Sequence, residues 1–189
     1  MSRAYRIRVS ESLNRTIRAE DSVCADLELL EILPPEQMAA LLRDELKGRG
    51  FEDKEGELVR TDGDLTTRID PTNGTVTVES KSVKKVELEG QREGLGYDDF
   101  GPGEKSVRRA LSKQLQEDLS KQAEHEQDKL QEAATKRLEG HLADLKKELN
   151  GAINRVTAEA LKQKAAQIGQ IKEVTEDPQS GSLTIKVEV

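Results

Sequence analysis

Alternating apolar and polar residues predict short strands in the first half of the chain. Tyr5, Ile7 and Val9 alternate with polar residues, mostly arginines, which is the period of a half-buried strand. The densest apolar run, residues 23–33, is also predicted as a strand because two prolines follow it. Further strands are predicted at residues 15–20, 57–61, 64–70, 75–80 and 83–89. Together these strands indicate a mostly antiparallel sheet.

Helical spacing first appears after residue 34. A helix is predicted to start at Pro35, a residue type favoured in the first turn, and to end at Gly48. Its apolar positions are Met38, Leu41, Leu42 and Leu46. This helix is expected to cover one face of the sheet.

A second, much longer helix is predicted over residues 104–167. The segment contains no proline and consists mostly of strong helix formers. Its apolar residues recur at spacings of three and four and make a narrow stripe, which is typical of a coiled-coil seam or of a helix lying on a partner. The predicted partner-binding stripe comprises Leu130, Leu138, Leu142, Leu145, Leu149 and Val156. Packing within the chain and homodimerisation remain as alternatives, and the segment is either one rod or a helical hairpin.

Two similar turns stand about a hundred residues apart. Residues 70–78 and 177–185 each begin with Asp-Pro, place a glycine at the fifth position and continue as an alternating strand. Proline presets φ early in such a turn, and glycine supplies the positive φ that closes it. The second copy predicts a C-terminal hairpin over residues 168–189. An isolated hairpin is marginal in water, so it is expected to join a sheet of its own chain or of another chain.

Composition limits the size of the core. Apolar residues make up 34% of the 189 residues and charged residues 35%, whereas a compact domain is roughly 45–50% apolar. A modest β core with a solvated helix fits this deficit. The net charge is −7, which argues against binding of nucleic acid through clustered basic residues.

The single cysteine, Cys24, excludes an internal disulfide and fits a reducing compartment. Because it lies in the most apolar run, we expect a buried, inert thiol. No stretch approaches the roughly 20 apolar residues that span a bilayer. The sequence therefore predicts a cytoplasmic protein without a membrane partner.

Candidate chemistry is sparse. The segment 94–106 is rich in glycine and opens a helix, as a phosphate-binding loop does, but Pro102 follows Gly101 and Glu104 precedes Lys105, so the lysine of that motif is misplaced. The alternative for residues 90–103 is a linker before the helix. His125 and His141 would lie about 24 Å apart on a straight helix and cannot share a metal. We therefore predict no catalytic residue, no cofactor and no metal.

Two groups of residues resemble a known family. The Asp-Pro-x-x-Gly hairpins at 70–78 and 177–185 resemble small bacterial β-hairpin accessory proteins. Residues 3–10 (Arg-Ala-Tyr-Arg-Ile-Arg-Val-Ser) and 29–34 (Leu-Leu-Glu-Ile-Leu-Pro) resemble accessory domains of bacterial ternary systems, which are encoded beside AAA+ ATPases of the FtsH or MoxR kind and von Willebrand factor A domains. The resemblance covers the β parts, roughly half the chain. It implies a non-catalytic adaptor or substrate-like partner of an ATPase machine.

These patterns predict an α+β fold: a mostly antiparallel sheet with one covering helix, a long amphipathic, coiled-coil-like helical arm and a C-terminal β-hairpin. The predicted divisions are a β-rich domain at 1–89, a glycine-rich linker at 90–103, the arm at 104–167 and the hairpin at 168–189. The predicted function is a cytoplasmic adaptor or scaffold that forms homo-oligomers and binds an AAA+ ATPase or a von Willebrand factor A protein. The alternative is a small-ligand or phosphate-processing enzyme that uses residues 94–106.

Overall fold

A computed structural model describes residues 4–97, 103–176 and 182–188. The fold is α+β, as predicted. The elements in chain order are β1 (Ala4–Asp26), α1 (Pro35–Lys47), β2 (Glu52–Lys54), β3 (Glu57–Asp62), β4 (Leu65–Asp70), β5 (Thr75–Tyr97), α2 (Glu104–Ile168), β6 (Gln170–Glu176) and β7 (Leu183–Glu188).

Five strands form one antiparallel sheet in the order β1-β5-β4-β3-β2, and β6 pairs with β7 in a separate sheet. The predicted turn between β4 and β5 is confirmed. Gly74 has a φ of 66°, and the Asp70 carboxylate accepts backbone hydrogen bonds from Thr72 at 2.8 Å and Asn73 at 3.1 Å. These bonds, that of Asn73 first, lower the pKa of Asp70. The second copy of the turn, at 177–181, lies outside the described residues, but β6 and β7 flank it as a paired hairpin.

The predicted strand at residues 23–33 is only partly correct. The strand ends at Asp26, where β1 stops. Two three-residue turns follow, in which Leu29 N–H donates to the carbonyl of Leu27 and Ile32 N–H to that of Leu30. Apolar residues of this segment therefore reach the core from irregular backbone rather than from a strand.

The linker predicted at 90–103 is strand as far as Tyr97, and residues 98–102 lie outside the described residues. The glycines there make room for helix α2. A Cβ atom on Gly90 would lie 2.6 Å from Leu115 Cδ1, and one on Gly94 would lie 3.0 Å from Leu111 Cδ1. Glycine within a strand often marks such a close approach, which is why the composition resembles that of a linker.

Three long elements, β1, β5 and α2, each contribute to two compact units, so each unit combines parts of the predicted β-rich domain and of the predicted arm. The first unit contains residues 4–21, 81–97 and 103–136. In it, apolar residues of β1 and β5 pack with one face of α2: Ile7, Val9, Ile17, Ala19, Val86, Leu115, Leu119 and Ala123 are buried. Lys84 donates to Glu126 at 2.8 Å, and this bond, together with that from Lys129, lowers the pKa of Glu126 to about 2.

The second unit contains residues 22–80, 137–176 and 182–188. Its core joins α1, strands β3 to β5 and the second half of α2. Leu42, Leu46, Leu58 and Ile69 are fully buried there. Phe51, next to the glycine-rich end of α1, folds back onto this core as an apolar lid.

Helix α2 is continuous from Glu104 to Ile168 and is not a helical hairpin. Neither α1 nor α2 combines the length and apolarity needed to cross a bilayer, within the part of the chain that the structure describes.

Candidate protein-binding groove

The residues predicted as a partner-binding stripe pack mainly within the chain itself. Leu138, Leu145, Leu149 and Val156 are buried in the core of the second unit, Leu142 packs against that core, and Leu130 is half-buried in the first unit. The core residues contact α1 and the sheet, which already cover the stripe. Most of the predicted stripe thus serves internal packing, an alternative that the sequence left open, and partner binding through the stripe stays a prediction.

An open apolar groove lies beside this stripe, between the end of β1 and helix α2 in the second unit. Its volume is about 660 Å³. Apolar side chains from the sheet and the helix line it: Val23, Ala25, Val76, Leu142, Leu149 and Ile153. Ligand pockets commonly measure about 300–1,000 Å³, so the groove can hold several aliphatic side chains of a partner.

One wall of the groove is a sheet edge, since β1 has a neighbour only on its β5 side among the described strands. Leu27, which directly follows β1, donates its N–H to the carbonyl of Gly74, which directly precedes β5, at 2.6 Å. The backbone of Leu27 thus points towards β5. Backbone groups alternate in direction along an antiparallel strand, so those of Cys24 and Asp26 point away from β5, towards the open edge. An edge of this kind is a template for another strand.

The other wall carries polar side chains above its apolar floor. Lys146, Asn150 and Asn154 follow one another at intervals of four residues, so they form one row along α2, and all three border the groove. Amide and ammonium groups can donate hydrogen bonds to carbonyl oxygens of a bound chain. The groove therefore offers apolar contact, strand pairing and side-chain donors together.

A pair of charged residues fixes the helix wall. Arg60 on β3 donates to both carboxylate oxygens of Glu148 on α2, at 2.7 and 2.8 Å, and its guanidinium lies 4.4 Å from the ring centre of Phe51. Arg49 also donates to the carbonyl of Glu148, at 3.2 Å. The hydrogen bond from Arg60 lowers the pKa of Glu148, while burial opposes the shift. Sequence reasoning missed this pair because its members are 88 residues apart and belong to no local pattern.

The hairpin β6–β7 is a second open apolar surface in this unit. A bulge between Ile171 and Glu173 shifts the register, so side chains three positions apart on β6 reach the same face. The apolar residues of this face are Ile171, Val174, Leu183, Ile185 and Val187. No strand of the five-stranded sheet pairs with it among the described residues, and Val174 keeps 42% of its surface exposed.

Comparison with known proteins gives one match. The model of the family described as FtsH ternary system domain X5 matches residues 1–189. The chain belongs to this family. No curated protein and no solved structure matches it. The family membership confirms the resemblance seen in the β parts and extends it over the whole chain, the long helix included.

A component of an FtsH ternary system has protein partners, and this coarser part of the predicted function is therefore supported. The family description identifies neither the surface they bind nor any chemistry. The groove and the hairpin face are two apolar surfaces that the described residues leave open.

Cys24 is exposed, whereas the sequence predicted a buried thiol. Alternation along β1 places Val23 towards the groove and Cys24 on the opposite face, where its sulfur accepts a hydrogen bond from Thr77 Oγ1 at 3.7 Å. The apolar run around Cys24 was therefore a poor guide to its burial, because burial depends on the face of the sheet to which a side chain points.

The described part of the candidate phosphate loop is accounted for by packing and helix initiation. Gly94 meets α2, and a Cβ atom on Gly96 would lie 2.7 Å from the Tyr5 ring. At the start of α2, Ser106 Oγ donates to the carbonyl of Gly103 at 2.8 Å. Gly94 and Gly96 thus allow close packing of protein.

Proposed function

We propose that this chain is a non-catalytic adaptor of an FtsH ternary system that holds a protein partner as an added strand in its groove. The observation that carries the proposal is that the sheet edge at residues 23–26, where β1 ends, borders an apolar groove. A component of a multi-protein system with such a surface is suited to strand addition.

Strand addition explains the composition of the groove. Backbone groups of the partner would pair with those of Cys24 and Asp26 at the edge of β1. Every second side chain of the partner would point towards Leu142 and Ile153 on α2. In this mode, main-chain hydrogen bonds supply affinity and the side-chain pockets supply specificity.

The candidate partners are the FtsH-type ATPase of the same system, a von Willebrand factor A protein and a further copy of this chain. The adaptor would work in the cytoplasm, where a reducing environment suits a single exposed thiol. The non-catalytic part of the proposal is supported by the packing roles of Gly94 and Gly96, since they account for glycines that suggested a ligand loop.

The test is a matched pair of substitutions on adjacent residues of β1. Val23→Asp places a charge in the groove, whereas Cys24→Asp places the same charge on the opposite face of the same strand. Val23 is already partly exposed, so neither change should disturb the core.

Binding of the purified chain to the ATPase and to the von Willebrand factor A protein of its system is measured by calorimetry. We expect the wild type and Cys24→Asp to bind alike and Val23→Asp to lose about a hundredfold in affinity, because a carboxylate would be buried against apolar walls. Equal affinities of the two variants, or a wild type that binds neither protein and stays monomeric, would refute the proposal.

A further inference from the structure

The hairpin β6–β7 is an incomplete structural element. A two-stranded hairpin is at best marginally stable in water, and stability requires a third strand or a covering surface. Its apolar face carries five aliphatic side chains, while the opposite face carries charged pairs such as Lys186 with Glu173, at 2.5 Å. The hairpin thus has one face made for burial and one made for solvent.

The features of the groove are complementary to those of strand β7. Among the described strands, the groove presents an edge without a neighbour, and its floor is apolar. Strand β7 is regular, whereas β6 contains the bulge. Leu183, Ile185 and Val187 follow at intervals of two, so they share one face of β7. A strand of this pattern pairs with an edge and places its apolar side chains into the groove.

We propose that the groove is filled by strand β7 from a second copy of the chain, and that the two copies exchange hairpins reciprocally. This inference rests on the proposed function, because it takes the groove to be a strand-binding site. Pairing of β7 with β1 would extend the sheet from five strands to seven, counting both strands of the hairpin.

Polarity favours this pairing. When Ile185 enters the groove, Thr184, Lys186 and Glu188 stand on the other face of the extended sheet, the face that carries Cys24 and Asp26 of β1. Lys186 is opposite in charge to Asp26, which favours the pairing, whereas Glu188 has the same charge. The polar face of β7 therefore matches the polar face of the β1 edge in polarity.

Connectivity favours a second copy over the same copy. The hairpin begins about 22 Å of helical rise beyond Ile153, and among the described residues it pairs with no strand of the five-stranded sheet of its own copy. Each copy contains both halves of the contact, so a two-fold dimer makes the contact twice, as in domain-swapped dimers.

Disulfide trapping tests the geometry, since Cys24 is the only cysteine. One tagged copy keeps Cys24, and a second copy carries Cys24→Ser with Thr184→Cys, on the polar face of β7. Mild oxidation of the mixture should join the two copies. The matched control is Ile185→Cys, which faces into the groove and should form at most a tenth of the cross-linked product.

Light scattering tests the assembly. The wild type should have twice the 21.0 kDa mass of one chain. Ile185→Asp should weaken dimerisation about a hundredfold and Thr184→Asp hardly at all, because only the first places a charge on the buried face. Far-UV circular dichroism of both variants should match the wild type, since the hairpin lies outside the core.

A monomeric wild type at tens of micromolar, or a dimer that Ile185→Asp does not weaken, would overturn the inference. Equal cross-linking at positions 184 and 185 would do the same. If Val23→Asp abolishes ATPase binding by a monomeric chain, the adaptor role stands and the hairpin exchange fails. If the chain forms a hairpin-dependent dimer that binds no protein of its system, the hairpin exchange stands and the adaptor role fails.

Discussion

The position of the helical stripe makes a quantitative prediction about stability. Leu138 and Leu145 keep only 2% and 3% of their surface exposed in the core of the second unit. Truncation of a fully buried leucine to alanine costs about 2–5 kcal/mol, of which part is lost transfer energy and part is the cavity left behind. We therefore expect Leu138→Ala and Leu145→Ala each to lower the free energy of unfolding by about 2–5 kcal/mol.

The double variant sharpens the test. The two residues are two helical turns apart, about 10 Å along the axis, so their effects should add to within about 0.5 kcal/mol. A combined loss of about 4–10 kcal/mol is comparable to the whole stability of a typical domain, about 5–15 kcal/mol. The second unit of the double variant should be largely unfolded.

Urea denaturation measures these losses, with a fluorophore on Cys24 as a probe of the second unit. Lys147→Ala, on the exposed side of the same helix, is the control and should change stability by less than about 0.5 kcal/mol. If the stripe were a solvated docking surface, the leucine variants would behave like this control. Losses below about 0.5 kcal/mol for both leucines would refute the packing described here.

Two further predictions concern glycine packing and pH. Gly90→Val should lower the free energy of unfolding by about 1–3 kcal/mol in thermal or urea melts, because its Cβ would lie 2.6 Å from Leu115 Cδ1. Gly140→Ala is the contrasting change: it has open space around it on α2 and should raise the free energy of unfolding by about 0.5–1 kcal/mol. Arg60 lowers the pKa of Glu148, so the ionised carboxylate stabilises the folded state above the pKa of the unfolded chain, and this stabilisation is lost as pH falls through the folded pKa. Glu148→Gln should therefore lose less stability than the wild type in melts taken from pH 7 down to pH 3. Parallel losses in the two proteins would contradict this.

Turn chemistry was readable from the sequence because it is local. Asp70 and Gly74 determine the β4–β5 turn through bonds within five residues, and the same residue types predict the C-terminal hairpin. The long helix was equally readable, since α2 begins and ends within one residue of the predicted bounds. Local propensity and turn geometry suffice for both.

What covers the helical stripe could not be read from its pattern. A narrow row of leucines indicates which side of the helix is buried. It does not show whether the helix packs against a partner helix, a second copy or the sheet of its own chain. The answer depends on contacts distant in sequence, such as Arg60 with Glu148. The glycines at 90–97 failed as a signal for the same reason, because the helix that requires them lies elsewhere in the sequence.

Burial of the stripe changes where assembly has to occur. Since α1 and the sheet cover Leu138, Leu145 and Val156, a coiled coil through these residues would require the second unit to open. In the described part of the second unit, two open apolar surfaces involve strands, at the β1 edge and on the hairpin face. Under the proposed strand addition, a partner of this domain supplies an extended segment rather than a helix, because a strand edge pairs with another strand. The helix then acts as the fixed wall against which that segment packs, and Arg60 holds the wall in place through Glu148.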